Sequence, residues 1–308
     1  MSAPAVALSI STLDRPEGLE RTLRSVAAQR ADGGTVAAVV VNNSPADRAP
    51  HEIAARVAAE TGLAIETLDE PVRGVAPPRN RGLARARELA PIVGFLDDDE
   101  EAPPGWLAEM LRVKREFRGD VVTGPVAPRF VETPPEWVVR GGFFARKRRP
   151  DGSLRPWAFT NNVLFDATLL DRLDRWFDGS FLRLSEDRHF FQRLARTGAR
   201  IVWADAAEVI DHVPPSRTTE EWLVRRMRTV GRCVAPVVRD LDGRAVAVAS
   251  SLAKGPVWIA IGGVTRAAGA VGGVETRVRG RSWIAYGVGL LEGALVPSAG
   301  GKPVAEGD

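Results

Sequence analysis

The sequence predicts an α/β fold in which a mostly parallel central sheet is covered by flanking helices and followed by a helical C-terminal extension. In the first hundred residues, short apolar runs alternate with stretches whose apolar residues recur at helical spacing. Strands that alternate with helices favour a parallel, helix-covered sheet. After about residue 244 the chain becomes rich in Ala, Gly and Val, which marks the extension as a separate helical segment.

Apolar runs and helical periodicity predict the individual elements. Strands are predicted at residues 6–11, 36–41, 63–68, 91–96, 121–126, 159–165, 201–204 and 208–212. Helices are predicted at about residues 19–26, 53–61, 83–89, 105–117, 185–197 and 219–230. The first helix is indicated by Leu19, Leu23 and Val26 at helical spacing. For the fifth helix, Ser185 is the predicted N-cap and Gly198 ends the helix.

The apolar run at residues 91–96 ends abruptly in Asp97, Asp98, Asp99 and Glu100. Carboxylates at the C-terminal end of a buried strand lie where open α/β sheets bind ligands. Adjacent carboxylates repel one another, and a divalent cation shared with phosphate is the simplest partner that would hold them together. The alternative is a solvated acidic loop before a helix, because Asp and Glu also favour helix N-termini.

The composition excludes several classes of site. The 308 residues include one cysteine, Cys233, and three histidines, which excludes an internal disulfide framework, a multi-cysteine zinc site and a histidine-rich metal site. A single cysteine fits a reducing compartment, and the apolar residues 5–10 are too few for a signal peptide. We therefore expect a cytoplasmic protein, free or peripheral at the cytoplasmic face of the membrane. The net charge of +3 suits anionic ligands, and no nucleic-acid partner is expected.

The chain is predicted to consist of a main domain at residues 1–244, a helical extension at 245–297 and a disordered tail at 298–308. Gly, Pro and charged interruptions in the extension argue against a transmembrane helix. They favour amphipathic helices that contact a membrane or a partner. A helical cap on this protein's own core is the alternative.

Six short motifs occur in an order that resembles a known family. They are STLDRP at 11–16, VVNNS at 40–44, RNRG at 79–82, FLDDD at 95–99, NN at 161–162 and SED at 185–187. Over about residues 5–230 they resemble the family 2 glycosyltransferases of GT-A fold. The resemblance implies that residues 1–244 are catalytic. Such a domain would transfer a hexosyl or deoxyhexosyl group with inversion from a nucleoside-diphosphate sugar to an acceptor hydroxyl, with Mn²⁺ or Mg²⁺ as cofactor.

The resemblance also implies roles for individual residues. Nucleotide-sugar contacts are expected from Thr12, Asp14, Arg15, Asn42, Arg79, Asp97, Asp98 and Asn162. Asp99 would bind the cation, and His212, at a late strand end, is a further candidate ligand. Asp187 would be the general base that deprotonates the acceptor hydroxyl, and Glu186 would orient it or bind the sugar.

The sequence departs from the family pattern at Asn42, where many relatives carry an Asp that accepts the uracil N3–H. Asn both donates and accepts hydrogen bonds, so UDP, dTDP and GDP sugars all remain candidate donors. The basic segment at 143–149 and the apolar extension indicate a glycan or lipid-linked acceptor of the cell envelope, with peripheral membrane contact. Two alternatives stay open: a non-catalytic nucleotide-sugar-binding scaffold at a membrane, and a nucleotidyltransferase.

Overall fold

The computed structural model describes residues 3–30, 34–145, 148–181 and 185–295, which form ten strands and nine α-helices. The strands are β1 Val6–Thr12, β2 Val36–Asn42, β3 Ala64–Asp69, β4 Ile92–Phe95, β5 Glu100–Glu101, β6 Val121–Thr123, β7 Val126–Phe130, β8 Val163–Asp166, β9 Ile201–Trp203 and β10 Val209–Val213. The helices are α1 Pro16–Ala27, α2 Ala49–Thr61, α3 Ala76–Leu89, α4 Trp106–Glu116, α5 Glu136–Gly141, α6 Glu186–Arg196, α7 Glu220–Arg232, α8 Val234–Asp242 and α9 Arg244–Leu295.

The central sheet has seven strands in the order β3-β2-β1-β4-β8-β6-β9. β1 pairs in parallel with β2 and β4, β2 pairs in parallel with β3, and β6 with β9. β8 is antiparallel to both of its neighbours. The predicted α/β fold with a mostly parallel sheet is therefore confirmed.

A second sheet of three strands has the order β5-β10-β7. β5 consists of two residues only, and Glu100 pairs with Asp211 while Glu101 pairs with Ile210. The acidic run that follows β4 therefore leads directly into this sheet rather than into a helix. The helix predicted to follow it, α4, begins at Trp106.

Helices cover both faces of the central sheet because successive residues of each buried strand point to opposite faces. Val6, Leu8 and Ile10 of β1 pack with residues of α1, α2 and α4. Ala7 belongs to the core on the other face, which includes residues of α3 and α6. Strands buried on both faces appear in the sequence as continuous apolar runs, which is why their positions were predictable.

The packing of the chain defines two units. The first comprises Met1–Pro128, Arg146–Asp178 and Phe190–His212. The second comprises Arg129–Ala145, Gly179–His189 and Val213–Asp308. The acidic pair at residues 186–187 thus belongs to the same unit as the C-terminal helices. The domain boundary predicted after residue 244 stays a prediction, and the disordered tail predicted at 298–308 lies outside the described residues.

The extension forms one helical hairpin within the second unit. α9 has 52 residues and contains Pro256, so the Pro and Gly positions that we expected to interrupt the helix lie inside it. At Gly273 the backbone leaves the helical region, with φ of 86°, a conformation that glycine adopts at low cost. Gly273 divides α9 into a first half, residues 244–272, and a second half, residues 274–295. By length and composition alone, α9 is long and apolar enough to cross a membrane.

Candidate functional site

The carboxyl ends of three adjacent strands bring the predicted nucleotide-sugar residues together in the first unit. Thr12 is the last residue of β1, and Asn42, its register partner, is the last residue of β2. β4 ends at Phe95, two residues before Asp97. Because β1 is parallel to β2 and β4, the loops that follow them meet at one edge of the sheet, where open α/β sheets bind ligands.

Thr12, Arg15 and the acidic cluster form one hydrogen-bonded network. Thr12 Oγ1 donates to Asp98 Oδ2 at 2.8 Å. Arg15 Nη1 donates to Asp98 Oδ1 at 3.0 Å and to Asp99 Oδ2 at 2.7 Å. The exposed fraction of the side chain is 7% for Asp98 and 20% for Asp99. Asp98 is therefore a buried member of the network, and Asp99 is the carboxylate more accessible to a ligand.

The electrostatics of this network follow from burial and from the guanidinium. Burial raises the pKa of Asp98, although Arg15 and the Thr12 hydroxyl oppose that rise. Burial also lowers the pKa of Arg15, but Asp99 and Asp98 outweigh it, so the pKa of Arg15 is raised overall. Arg15 thus stays charged and neutralises part of the negative charge of the cluster.

Glu100 holds the backbone of the cluster in place, a role that the sequence analysis missed. Its Oε2 accepts a hydrogen bond from the Asp97 N–H at 3.1 Å, and its own carbonyl accepts from Thr22 Oγ1 at 2.5 Å. Burial, with Asp97 as the next cause, raises the pKa of Glu100 well above its ordinary value. The signal available in the sequence was the length of the run. Five consecutive acids, residues 97–101, repel one another, and an acid that accepts internal hydrogen bonds is easier to hold among them.

Close backbone approach also shapes the cluster. A Cβ atom at Gly18 of α1 would lie 2.5 Å from the carbonyl oxygen of Asp98. Only glycine therefore fits at this position of the helix without a shift. The first helix and the acidic loop are in direct contact as a result, which places Arg15 beside Asp98 and Asp99.

Arg79, in the first turn of α3, and Asp14, on the loop after β1, lie at the same edge of the sheet. Arg79 Nη2 is 3.9 Å from Asp97 Oδ1, and its guanidinium lies over the ring of Phe177, 5.7 Å from the centroid. Asp14 is exposed and adopts a positive φ of 55°, uncommon for a residue other than glycine. Arg79 therefore joins the acidic cluster, and the contact predicted for Asp14 stays a prediction.

The Asn42 amide is occupied by this protein's own groups. Its Nδ2 donates to Asp69 Oδ1 at 3.0 Å and to the Asp47 carbonyl at 2.9 Å. Its Oδ1 accepts from the Ser44 N–H at 2.9 Å. Asp69 Oδ1 also lies 2.8 Å from His51 Nε2, and this contact with His51 lowers the pKa of Asp69. A carboxylate thus lies at the end of β3, one strand away from the position at which many relatives carry it.

Asn162 and His212 lie in the first unit with their side chains engaged elsewhere. Asn162 is 0% exposed, and its Nδ2 donates to the carbonyls of Pro125 and Ala207 at 2.9 and 2.7 Å. His212 Nε2 lies 3.1 Å from Glu101 Oε2, while its backbone N–H donates to the Asp99 carbonyl at 3.4 Å. These contacts indicate internal structural roles, and the ligand contacts predicted for both residues stay predictions.

A divalent cation fits this donor set when the ligand supplies part of its coordination. Among the residues that the structure describes, no group of three or more His, Cys, Asp and Glu side chains could hold a metal ion. Mg²⁺ is commonly bound by one or two carboxylates together with substrate phosphates. Asp99, which is more accessible than Asp98, suits that mode.

The predicted catalytic carboxylates begin α6 in the second unit. Glu186 Oε2 accepts from the Ser185 N–H at 3.0 Å, and Asp187 Oδ1 accepts from the Arg188 N–H at 2.6 Å. Asp187 is 8% exposed. Burial raises the pKa of the nearby Cys233 thiol to about 11, with a further rise from Glu186. Glu186 and Asp187 both lie in the first turn of α6.

Aromatic side chains and one basic side chain form a cluster in the second unit. Phe144 stacks on Trp222 with ring centroids 6.1 Å apart, and Phe143 packs edge-on against Trp137 at 5.6 Å. The Arg279 guanidinium lies 5.9 Å from the Phe143 centroid. The basic loop predicted at 143–149 thus begins as an aromatic cluster. Its residues Arg146 and Lys147 lie outside the described part of the chain.

Comparison with known proteins agrees with this architecture. The family model described as "Glycosyl transferase family 2" matches residues 8–173, more than half of the chain. The succinoglycan biosynthesis protein ExoM of Rhizobium meliloti (strain 1021) is 28% identical over 246 residues, which cover 76% of each protein. The crystal structure of S. aureus TarS superimposes with a TM-score of 0.51 at 17% identity.

The chain belongs to glycosyl transferase family 2. The TarS match covers 77% of this chain but only 40% of the TarS chain, and at this identity it supports the fold alone. The matched family segment contains every residue of the Thr12, Arg15 and Asp97–Asp99 network. The family and GT-A-like fold that the six motifs implied are therefore confirmed.

Proposed function

We propose that this protein is a metal-dependent, inverting glycosyltransferase that moves a hexosyl or deoxyhexosyl group from a nucleoside-diphosphate sugar to an acceptor hydroxyl. The observation that carries this proposal is the network of Thr12, Arg15, Asp98 and Asp99 at the carboxyl edge of the parallel strands. It places one accessible carboxylate and one guanidinium together, which suits a diphosphate bound with a cation.

In the donor site, Thr12, Asp14 and Asn42 lie toward the base and ribose, and Asp97 and Asp98 toward the ribose. Arg15 and Arg79 provide positive charge for the pyrophosphate. Asp99 would hold Mn²⁺ or Mg²⁺, with His212 as a further candidate ligand. A cation bound there would supply positive charge for the leaving nucleoside diphosphate. Asn162, as a predicted donor contact, would act indirectly, because its buried amide holds the segments that carry Pro125 and Ala207.

In the transfer step, Asp187 accepts the proton of the acceptor hydroxyl. The acceptor oxygen forms a bond to the anomeric carbon while the bond from that carbon to the diphosphate oxygen breaks, and the nucleoside diphosphate leaves with the bonding electron pair. This single displacement inverts the configuration. Glu186, whose carboxylate accepts the Ser185 N–H, orients Asp187 or contacts the sugar.

The name of the relative ExoM refers to succinoglycan biosynthesis, a property of that protein. By similarity we propose a polysaccharide or lipid-linked glycan of the cell envelope as acceptor here. The single cysteine, which is buried, fits synthesis on the cytoplasmic side.

Calorimetric titration tests the donor site. UDP, dTDP and GDP are each titrated with and without Mn²⁺ into the wild type, Asp99→Asn and the control Asp171→Asn. Asp171 is a carboxylate of the same unit that pairs with Arg87. We expect metal-dependent binding of one nucleotide class, lost in Asp99→Asn and retained in Asp171→Asn. Metal-independent binding that survives in Asp99→Asn would contradict the metal site.

A transfer assay tests the second unit separately. Asp187→Asn removes the proposed proton acceptor while keeping its size, so turnover should fall by at least about a hundredfold. Nucleotide binding by the same variant should be unchanged. Nucleotide binding by the wild type without any transfer would favour the non-catalytic scaffold.

A further inference from the structure

The two halves of α9 pack on each other along a stripe of glycines. A Cβ atom at Gly255 would lie 2.7 Å from the Leu291 side chain, one at Gly262 would lie 2.6 Å from Ile284 N, and one at Gly269 would lie 2.7 Å from Arg277 N. Gly255, Gly262 and Gly269 recur every seven residues, which keeps them on one side of the helix. The opposite side of the first half therefore faces away from the hairpin.

That opposite side is apolar and exposed. We call it the outer face of α9; its large side chains are Leu252, Val257, Ile261, Val264 and Val271. Val264 is 72% exposed and Val271 is 97% exposed. With 100° per residue, these five positions fall within an arc of about 180° centred opposite the glycines. A contiguous exposed apolar surface of this length marks an interaction site.

The charge around the outer face has one sign. No Asp or Glu occurs between residues 243 and 274. Lys254 and Arg266 lie on the two flanks of the arc, and Arg244 and Arg277 lie near the ends of the first half; all four are exposed. An apolar face bordered by basic residues complements an anionic lipid surface, where long basic side chains reach the headgroups.

The packing of the second half argues against a hairpin that crosses the membrane. Arg228 of α7 forms an ion pair with Glu292, and Arg281 pairs with Glu220. A Cβ atom at Gly289 would lie 2.9 Å from Arg232 N, so the second half lies directly against α7. Crossing a bilayer would bring these charged groups into hydrocarbon, which is costly. The ion pairs with α7 found among the described residues involve the second half of α9, so the apolar arc of the first half suits a position along the membrane surface.

Resting on the proposed glycosyltransferase function, we propose that the outer face of α9 docks on an anionic lipid bilayer with the first half lying parallel to its surface. The first half, residues 244–272, would extend about 43 Å along that surface. The same unit carries Glu186 and Asp187. The acceptor is therefore taken from the membrane, as a lipid-linked glycan, rather than from solution.

Vesicle sedimentation of the full chain tests this proposal. Phosphatidylcholine vesicles with and without phosphatidylglycerol are compared at low and high salt. We expect the wild type to bind the anionic vesicles, more weakly at high salt. Val257→Asp with Val264→Asp should weaken that binding by about tenfold or more, because two apolar side chains are lost from the buried face. Lys254→Glu with Arg266→Glu should remove the preference for anionic vesicles.

Leu154→Asp is the matched control, since Leu154 is 64% exposed but belongs to the first unit. It should bind vesicles like the wild type. Equal vesicle binding by the Val257→Asp/Val264→Asp variant, or none by the wild type, would overturn the proposal. A dimer in analytical ultracentrifugation that this variant abolishes would instead assign the face to a second copy, and resistance to alkaline extraction would indicate a spanning hairpin.

Nucleotide titration on the same proteins separates this proposal from the proposed function. Vesicle binding without any nucleotide binding would contradict the glycosyltransferase proposal and leave the docking surface intact. Nucleotide binding without vesicle binding would contradict the docking surface and leave the glycosyltransferase proposal intact.

Discussion

Arg15 donates a 2.7 Å hydrogen bond to Asp99, the carboxylate that we propose binds the divalent cation. The two residues belong to different loops, 84 positions apart, and meet because β1 and β4 are adjacent. A guanidinium at this distance neutralises the carboxylate much as a metal ion would. The chain therefore holds its acidic cluster together with a cation of its own.

Arg15→Gln should strengthen the binding of Mn²⁺ to the protein without nucleotide. The variant removes a positive charge that competes for Asp99, so we expect affinity to rise by roughly fivefold to tenfold for this partly exposed pair. Electron paramagnetic resonance of free Mn²⁺ measures the change. Nucleoside diphosphate should bind the same variant more weakly, because the pyrophosphate loses a positive partner.

Arg56→Gln is the control for this charge change, since Arg56 of α2 pairs with Glu20 of α1 in the same unit rather than with Asp99. It should leave Mn²⁺ affinity unchanged. An equal gain in both variants would reflect net charge alone and would count against competition at Asp99.

Asn42→Asp, which introduces the residue that many relatives carry, should destabilise this protein. The new carboxylate would lie 3.0 Å from Asp69 Oδ1 and would face the Asp47 carbonyl, in place of an N–H donor to both. We expect a loss of about 1–3 kcal/mol of unfolding free energy at pH 7, measured in urea. Asn42→Asp with Asp69→Asn should recover the part of the loss that comes from Asp69, because donor and acceptor are exchanged there, whereas the Asp47 carbonyl still faces an acceptor.

The pH dependence of this loss has a definite sign. In the wild type the pKa of Asp69 is lowered, first by the contact with His51 and then by Asn42, so its contribution is present above the unfolded pKa and lost in acid. In Asn42→Asp, each of the two adjacent carboxylates raises the pKa of the other in the folded protein. The loss of stability therefore appears as the pH rises and both carboxylates become charged. The difference in melting temperature should therefore shrink from pH 7 toward pH 4, and a constant difference would contradict the carboxylate repulsion.

The sheet was predictable because each strand can be recognised from its own residues. β1, β2 and β4 are apolar runs that are buried on both faces, and the structure places them within about a residue or two of the predicted bounds. The predicted strand at 159–165 is shorter in the structure, where it runs from Val163 to Asp166. Asn162 does not extend the strand, because its side chain donates a hydrogen bond to the Pro125 carbonyl instead. Three of the six motifs, at 11–16, 40–44 and 95–99, located the acidic edge for the same reason: each spans the end of a strand.

The partners of the site residues were not predictable in this way. The contacts of Asn42 with Asp69 and of Arg15 with Asp99 join residues 27 and 84 positions apart. From the sequence alone, several other acidic residues could equally have been the partners. The hairpin in α9 escaped prediction for another reason. Glycine lowers helix propensity, so Gly255, Gly262 and Gly269 looked like interruptions, whereas close helix packing requires them.

Asp240 should support the first turn of α6, which carries Asp187. His189 is completely buried, its ring stacks on Phe181, and its Nε2 lies 2.7 Å from Asp240 Oδ2. Asp240→Leu should cost about 1–3 kcal/mol of unfolding free energy, because a buried polar ring loses this partner. We expect kcat to fall in this variant while nucleotide affinity is retained.

Asp240→Asn keeps an oxygen that accepts a hydrogen bond and should lose less than half as much stability and activity. Asp242→Leu, at an exposed position of the same helix, is the second control and should behave like the wild type. Equal losses in Asp240→Asn and Asp240→Leu would show that the hydrogen bond to His189 does not position the turn.

Two neighbouring glycines of α9 should respond to alanine with opposite signs. A Cβ atom at Gly262 would lie 2.6 Å from Ile284 N and 2.7 Å from the Gly280 carbonyl oxygen, whereas one at Gly263 would meet nothing within 4 Å. Gly262→Ala should therefore destabilise the hairpin by about 1–3 kcal/mol through overpacking. Gly263→Ala should stabilise it by about 0.5–1 kcal/mol, because alanine restricts the unfolded chain and favours the helix. Urea unfolding followed by circular dichroism measures both, and a gain in stability in Gly262→Ala as well would mean that the halves do not pack at Gly262.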